Sequence, residues 1–335
     1  MASAKSLPAT PSASKRNFSA PAALLLAGCL AALVLAEGLL RLVDAKAGNY
    51  QGSFLGGEMV SPRRKILILG DSFLVSQGDH AHLYEYLSAR LRAGKIQLKN
   101  TAEPGFGPID YWVQLQTFGP SYHPDTVALF YYAGNDLTNV QYRSDWREQV
   151  KVIFKPWLNR SALFHFLNEK RNWRAQKRAE TKRLPGENAV NPWFRELSVK
   201  KPRYILDNLL MDRPENEQAW QKAQNYLLKI HQWAAGHHAR LVLIMIPSTA
   251  QVNPSHFGFY SNLGFQLDER TLHESRPQEL LHSFCREQGI NCLDLLPAFR
   301  GAGFELYRGD DDHLNEEGGR LAAEKTAEFL LSPSG

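Results

Sequence analysis

Residues 65–73 read KILILGDSF, and the fold follows from them. Ile66 to Leu69 form a short apolar run headed by Lys65 and stopped by the turn residues Gly70 and Asp71. That pattern reads as a buried strand, because an amphipathic helix needs a longer stretch with a period near four. Ser72 then falls where the strand's carboxyl end turns toward the next helix. Reactive side chains and ligands gather at such turns in open α/β sheets.

Outward from this strand the pattern repeats. Further strands are expected at residues 96–100, 126–132, 241–246 and 291–295, with amphipathic helices at 82–92, 110–118, 215–235, 276–288 and 315–330. Strand and helix in alternation predict an α/β fold with a five-stranded, mainly parallel sheet. At 335 residues the chain has room for one catalytic core of about ordinary domain size, plus a tail and insertions. No internal repeat is visible. The net charge of +5 is modest and does not by itself indicate nucleic-acid binding, which would need a clustered stripe and a recognisable module, so no nucleic-acid partner is expected.

The ends of the chain differ from its middle. Residues 1–17 are rich in Ser, Ala, Pro and Lys and read as a disordered cytoplasmic leader. Residues 18–36, FSAPAALLLAGCLAALVLA, carry no charge and are about as long as a bilayer span requires. Lys5, Lys15 and Arg16 precede them, so a single-pass signal anchor over 18–43 is expected, followed by a linker at 44–62. The positive-inside rule then places the amino terminus in the cytoplasm and the domain at 63–331 on the outer, periplasmic side of an inner membrane. A lipoprotein reading, with cleavage before Cys29, would tether the chain equally. Cys285 and Cys292 are close enough in sequence for a disulfide, although two buried thiols fit the pattern as well. No CxxC pair or His-rich metal spacing occurs.

Three islands carry chemistry: GDSF at 70–73, AGND at 133–136 and DDDH at 310–313. A serine hydroxyl is a weak nucleophile at neutral pH and needs a base in hydrogen-bond reach and a carboxylate to orient that base. Ser72, His313 and Asp310 supply these parts, with Asp311 and Asp312 as alternative carboxylates. An acyl-transfer intermediate also needs donors for its oxyanion. Gly105, in the NTAEPGFGPID segment after the second strand, offers a backbone N–H, and Gly107 competes with it. The Asn135 side-chain amide and the Ser72 N–H complete the set, while Asp136 reads as a brace for the loop that aims Asn135. Each island alone has a plainer reading, as helix cap, turn glycine or solvated acidic loop. Together and in this order they do not.

With GDS near the start, a glycine after the second strand, GND after the third and DxxH near the end, the chain resembles the SGNH subgroup of GDSL-type serine esterases. The resemblance spans about 63–330 apart from the middle segment. It implies Ser72 as nucleophile, Asp310 and His313 as the rest of the triad, and Ser72, Gly105 and Asn135 as the oxyanion hole. It also implies a flavodoxin-like three-layer α/β/α sandwich without cofactor or metal. One departure stands out. Ala133 occupies the place where the family has glycine, and the glycine directly precedes Asn135, so a methyl group at the edge of the hole is expected.

Between residues 140 and 204 lies an insertion with sixteen Lys and Arg against six Asp and Glu, interleaved with Trp146, Trp157, Phe164, Phe166, Trp173, Trp193 and Phe194. It reads as a surface for an anionic polymer or lipid headgroups, or as an ordinary solvated segment with core aromatics. Joined to a membrane tether, the resemblance implies an O-acetyl ester of a cell-surface carbohydrate as substrate. The other readings are O-acyl transfer by the same triad, lipid-ester or lysophospholipid hydrolysis, and a non-catalytic glycan-binding assembly subunit.

Overall fold

Each apolar run pairs with its neighbours along one sheet. The computed structural model describes residues 20–46, 64–75, 82–142, 161, 163–164, 166–167, 170, 192–302, 305–309 and 311–332. Strands β1 (Arg64–Leu69), β2 (Ile96–Asn100), β3 (Thr126–Tyr132), β4 (Arg240–Ile246) and β5 (Asn291–Asp294) lie in the order β2-β1-β3-β4-β5. Every neighbouring pair is parallel, with Leu67 opposite Leu98's neighbour Lys99 on one side and Val127 on the other. The sheet expected to be mainly parallel is parallel throughout its described strands.

A parallel sheet must be covered on both faces, and the parity of the strand residues shows how. Leu67, Leu69, Val127, Leu129, Leu241 and Leu243 point to one side, against helices whose ranges are Pro108–Tyr122, Pro214–Gly236 and Arg276–Gln288. Ile66, Ile68, Ala128, Phe130, Val242 and Ile244 point to the other, against helices His82–Ala93 and Glu316–Leu331. Helices of six or more residues are numbered α1 (Ala20–Lys46), α2 (His82–Ala93), α3 (Pro108–Tyr122), α4 (Asp136–Tyr142), α5 (Pro192–Lys200), α6 (Tyr204–Leu209), α7 (Pro214–Gly236), α8 (His256–Leu263), α9 (Arg276–Gln288) and α10 (Glu316–Leu331). The result is the three-layer α/β/α sandwich. A third apolar cluster joins Ala133 to Phe194 of α5, Tyr204, Ile205 and Leu209 of α6, and Tyr260 of α8. Of the two readings left open for the aromatics of the insertion, surface or core, Phe194 takes the second. Most of the rest of the basic insertion lies outside the described residues.

The expected transmembrane span is corrected by the structure. Among the described residues no helix is long and apolar enough to cross a membrane. The second half of α1 carries Glu37 and Arg41, paired at 2.8 Å. Glu37 also accepts hydrogen bonds from the Ser161 hydroxyl at 2.7 Å and the Leu163 N–H at 2.9 Å. Charged and hydrogen-bonding groups of this kind are costly in hydrocarbon. Cys29 is a free, exposed cysteine within the same continuous helix. The membrane-anchored form, the inner-membrane and periplasmic placement, and the membrane as a partner fall with the span. So does the step from tethering to cell-surface carbohydrate. This helix and the described residues between 161 and 170 belong to one compact unit, and the sheet and its helices belong to a second.

Cys285 and Cys292, left open by the sequence, are joined in a disulfide between α9 and β5. At the other end of the fold, α10 begins with Glu316, Glu317, Gly318 and Gly319, capped by the Asn315 side chain, which accepts the Gly318 N–H at 2.9 Å. A Cβ on Gly318 would overlap the Leu306 carbonyl oxygen, so the missing side chain lets the last helix seat against the loop that precedes it. Gly318→Ala should therefore destabilise the protein by about 1–3 kcal/mol in urea unfolding, as overpacking does. An unchanged midpoint would show that the helix does not need that close approach.

Candidate active site

Ser72 opens a single 3-10 turn, Ser72–Leu74, directly after β1. The turn is held by Asp71, whose Oδ1 accepts the Phe73 N–H at 3.1 Å while its backbone oxygen accepts the Leu74 N–H. The cap is thus Asp71, and the Ser72 hydroxyl is left for other work. It lies 2.8 Å from His313 Nε2.

His313 reaches that position because its loop is pinned on both sides. Tyr307 and Leu314 form an antiparallel bridge, and the His313 carbonyl accepts the Arg308 N–H at 2.9 Å. Asn315 ties the base of the loop by donating to the carbonyls of Glu305 and Tyr307. The Tyr307 hydroxyl donates to the Pro247 carbonyl at 2.6 Å, fastening the loop to the end of β4. The imidazole stacks on Phe73, with centroids 5.1 Å apart. Its Nδ1 faces Asp311 Oδ2 at 3.3 Å and Asp312 Oδ1 at 3.6 Å. Asp311 Oδ1 also accepts the His313 backbone N–H at 2.9 Å. Asp310, expected to orient the imidazole, lies outside the described residues.

These neighbours set the charge on the ring. Burial disfavours imidazolium, but the Asp311 hydrogen bond and the Asp312, Asp311 and Asp71 carboxylates outweigh it and raise His313 to about 8. The opposite balance holds at Asp71, where burial dominates over its hydrogen bonds and raises the carboxyl to about 6.

Asn135 follows β3 in a turn, and its Nδ2 donates to Asp71 Oδ2 at 3.1 Å. Its carbonyl accepts the Thr138 hydroxyl at 2.9 Å. Asn208 of α6, 1 % exposed, accepts the Thr138 N–H and donates to the Thr138 hydroxyl. Asp136 is fully buried and accepts the Tyr111 hydroxyl at 2.9 Å and the Tyr132 N–H at 3.2 Å, which anchors the same turn. Burial pushes its carboxyl well above the usual range. The Ala133 methyl, expected at the rim of an oxyanion hole, instead packs in the apolar cluster with Phe194 and Tyr260.

Of the two glycines after β2, Gly105 is exposed and has φ of 72°, a conformation natural to glycine. The Gly107 N–H donates to Asp110 Oδ2 at 3.3 Å and so belongs to the cap of α3.

Ser72 and Asn135 thus converge at the carboxyl ends of β1 and β3. In the order β2-β1-β3 the chain leaves β1 to opposite sides, and the crevice at this switch point is where such sheets bind ligands. The parts that sequence reasoning missed are Asp71 as holder of Asn135, the Asn208 to Thr138 link, and the Tyr132 hydroxyl. Asp71 lay in the quoted GDSF island, and Asn208 was legible as a polar residue inside the apolar stretch YILDNLL. Asp311, Asp312 and His313 are also types that bind cations, but their atoms are engaged with one another, with Ser72 and with Tyr132, and we assign them to hydrogen bonding.

No family model and no curated protein sequence matches the chain. Similar solved structures include an acetyl xylan esterase, 11% identical with a TM-score of 0.44, the match covering 80% of this chain and 100% of that one. A lipase/acylhydrolase from Enterococcus faecalis is 13% identical with a TM-score of 0.41, covering 80% and 95%. A catalytic mutant of an acetylxylan esterase from Geobacillus stearothermophilus is 10% identical with a TM-score of 0.45, covering 80% and 94%. At these identities and TM-scores, no activity is taken from the likeness.

Asp71 yields a prediction with a definite sign. Its folded carboxyl, at about 6, binds a proton more tightly than the unfolded group at 3.8, so its charged form costs stability above about 6 and the cost fades as pH falls toward 4. Asp71→Asn should therefore be more stable than the parent at pH 8, by about 1–3 kcal/mol. That advantage should vanish near pH 4. Urea melts at the two pH values check this, and equal differences at both would refute the assignment.

Proposed function

We propose that the protein is a serine hydrolase that cleaves carboxylic esters through an acyl-serine intermediate. The observation that carries the reading is the 2.8 Å contact between His313 Nε2 and Ser72 Oγ, in a turn at the carboxyl edge of a parallel sheet. A hydroxyl this close to a neutral imidazole nitrogen can pass its proton on as its oxygen attacks.

In the first half-reaction Ser72 Oγ bonds to the ester carbonyl carbon while its proton moves to His313 Nε2. The carbonyl oxygen becomes an oxyanion, held by the Ser72 and Gly105 N–H groups and the Asn135 Nδ2 hydrogen not given to Asp71. Such donors act more strongly on the intermediate than on the ground state. As the intermediate collapses, the carbon–oxygen bond to the leaving alcohol breaks and His313 returns the proton to that oxygen. In the second half-reaction water attacks the acyl-serine, His313 takes its proton, and the acid is released as Ser72 is restored. On the DxxH motif alone we assign the orienting carboxylate to Asp310, three residues before His313, with Asp311 and Asp312, which face Nδ1, adding negative charge. No cofactor takes part in this scheme.

The base works only when neutral, so kcat/KM should rise with pH through about 8, the value its carboxylate neighbours impose on His313. The full chain should turn over p-nitrophenyl acetate, and a series of longer acyl groups would rank short esters against lipid-like ones. Ser72→Ala and His313→Ala should each lose on the order of 10³-fold or more in kcat, and Asp310→Asn should lose more than Asp311→Asn. A Ser72→Ala protein with undiminished turnover would overturn the reading.

A further inference from the structure

The Tyr132 ring touches the site from two sides at once. It ends β3, is 1 % exposed, and packs against Phe73 with ring centroids 4.3 Å apart. Phe73 in turn stacks on the His313 imidazole. The Tyr132 hydroxyl donates to Asp312 Oδ2 at 2.9 Å, and the other oxygen of that carboxylate faces His313 Nδ1 at 3.6 Å. A closed ring of contacts therefore runs from Tyr132 through Phe73 to His313 and back through Asp312.

The spelling of the third island follows from this ring. A Cβ on Gly134 would overlap the Tyr132 side chain, so glycine is needed at 134, and Ala133 is free to carry a methyl into the neighbouring apolar cluster. The displaced glycine of AGND and the folded-over tyrosine are two sides of one arrangement.

We propose that Tyr132 is a positioning residue for His313, acting through its hydroxyl on Asp312 and through its ring on Phe73. The hydroxyl keeps Asp312 turned toward the imidazole and favours its ionised form, which supports the charged state of His313 during proton transfer. The other groups that face the ring are Asp311 on the same loop, paired with Arg308, and Ser72 and Asp71 on the β1 turn. Tyr260 and Tyr307 are within electrostatic reach of Asp312. None of these duplicates the hydroxyl of Tyr132, which bonds Asp312 directly. The inference rests on the serine-hydrolase reading for its kinetic consequence, but not for its effect on the His313 titration.

Tyr132→Phe keeps the ring and removes only the hydroxyl. In the full chain it should lower kcat about tenfold, as loss of a hydrogen bond to a charged group does, with KM little changed. The midpoint of the kcat/KM profile should move from about 8 toward the ordinary histidine value, since Asp312 is then no longer held turned toward the imidazole. Asp312→Asn should move it the same way, and Tyr132→Phe should add nothing in the Asp312→Asn background. The His313 titration, followed by NMR on its ring Cε1–H with His313→Ala to assign the signal, should show the same downward shift without any substrate. An unmoved His313 titration in Tyr132→Phe, or equal losses of kcat in the wild-type and Asp312→Asn backgrounds, overturns the proposal. If Tyr132→Phe does not fold, the Asp312→Asn titration decides, and an unshifted His313 there overturns it. Loss of the shift alone would leave the hydrolase reading standing, whereas undiminished turnover by Ser72→Ala would remove that reading and leave the titration result intact.

Discussion

The site depends on one contact between residues 241 positions apart, the His313 imidazole against the Ser72 hydroxyl. A hydrogen bond of this kind holds only if both partners are delivered to the same place by rigid elements, because ordering two loose loops would cost more than the bond returns. Here the parallel sheet delivers Ser72 at the end of β1, and the seat of α10 on the Leu306 loop delivers His313. The close approach at Gly318 and the Asn315 cap belong to the chemistry as much as to the fold, since they fix where that loop ends.

Around this contact the buried carboxylates divide the work. Asp71 caps the serine turn with one oxygen and holds Asn135 with the other, so a single side chain couples the Ser72 turn to Asn135. Asp136 braces the β3 turn from behind through Tyr111 and the Tyr132 N–H. Both carboxyls are raised by burial, and both are retained in the core with hydrogen-bond partners, as a buried polar group must be. The cost in stability is the kind that sites of this sort carry in return for preorganised geometry.

Where the sequence misled, the cause was a property of context. Residues 18–36 match the length and polarity of a membrane span, yet α1 extends into Glu37 and Arg41, and Glu37 is tied to residues 161 and 163, which no hydropathy window sees. By sequence Phe194 fits either surface or core because charge dominates its segment, and α5 turns that ring into the cluster with Tyr204 and Tyr260. Ala133 is expected at the rim of the hole from the motif, and it is buried in the cluster with Phe194 and Tyr260.

By itself the sequence determined the strands, nearly to the residue, because a sheet covered on both faces demands continuous apolar runs and the turn residues between them are unmistakable. It also determined that Ser72, Asn135 and the DDDH loop follow strands or precede the last helix, which brings the first two to one edge. It determined which residue types were at hand for acyl transfer. Only the tertiary structure decided that Asp71 holds Asn135, that Tyr132 bonds Asp312 while its ring packs on Phe73, and that Cys285 and Cys292 are joined. Those are contacts between side chains distant along the chain or turned by local backbone, and their geometry is set by packing that no local period or motif encodes.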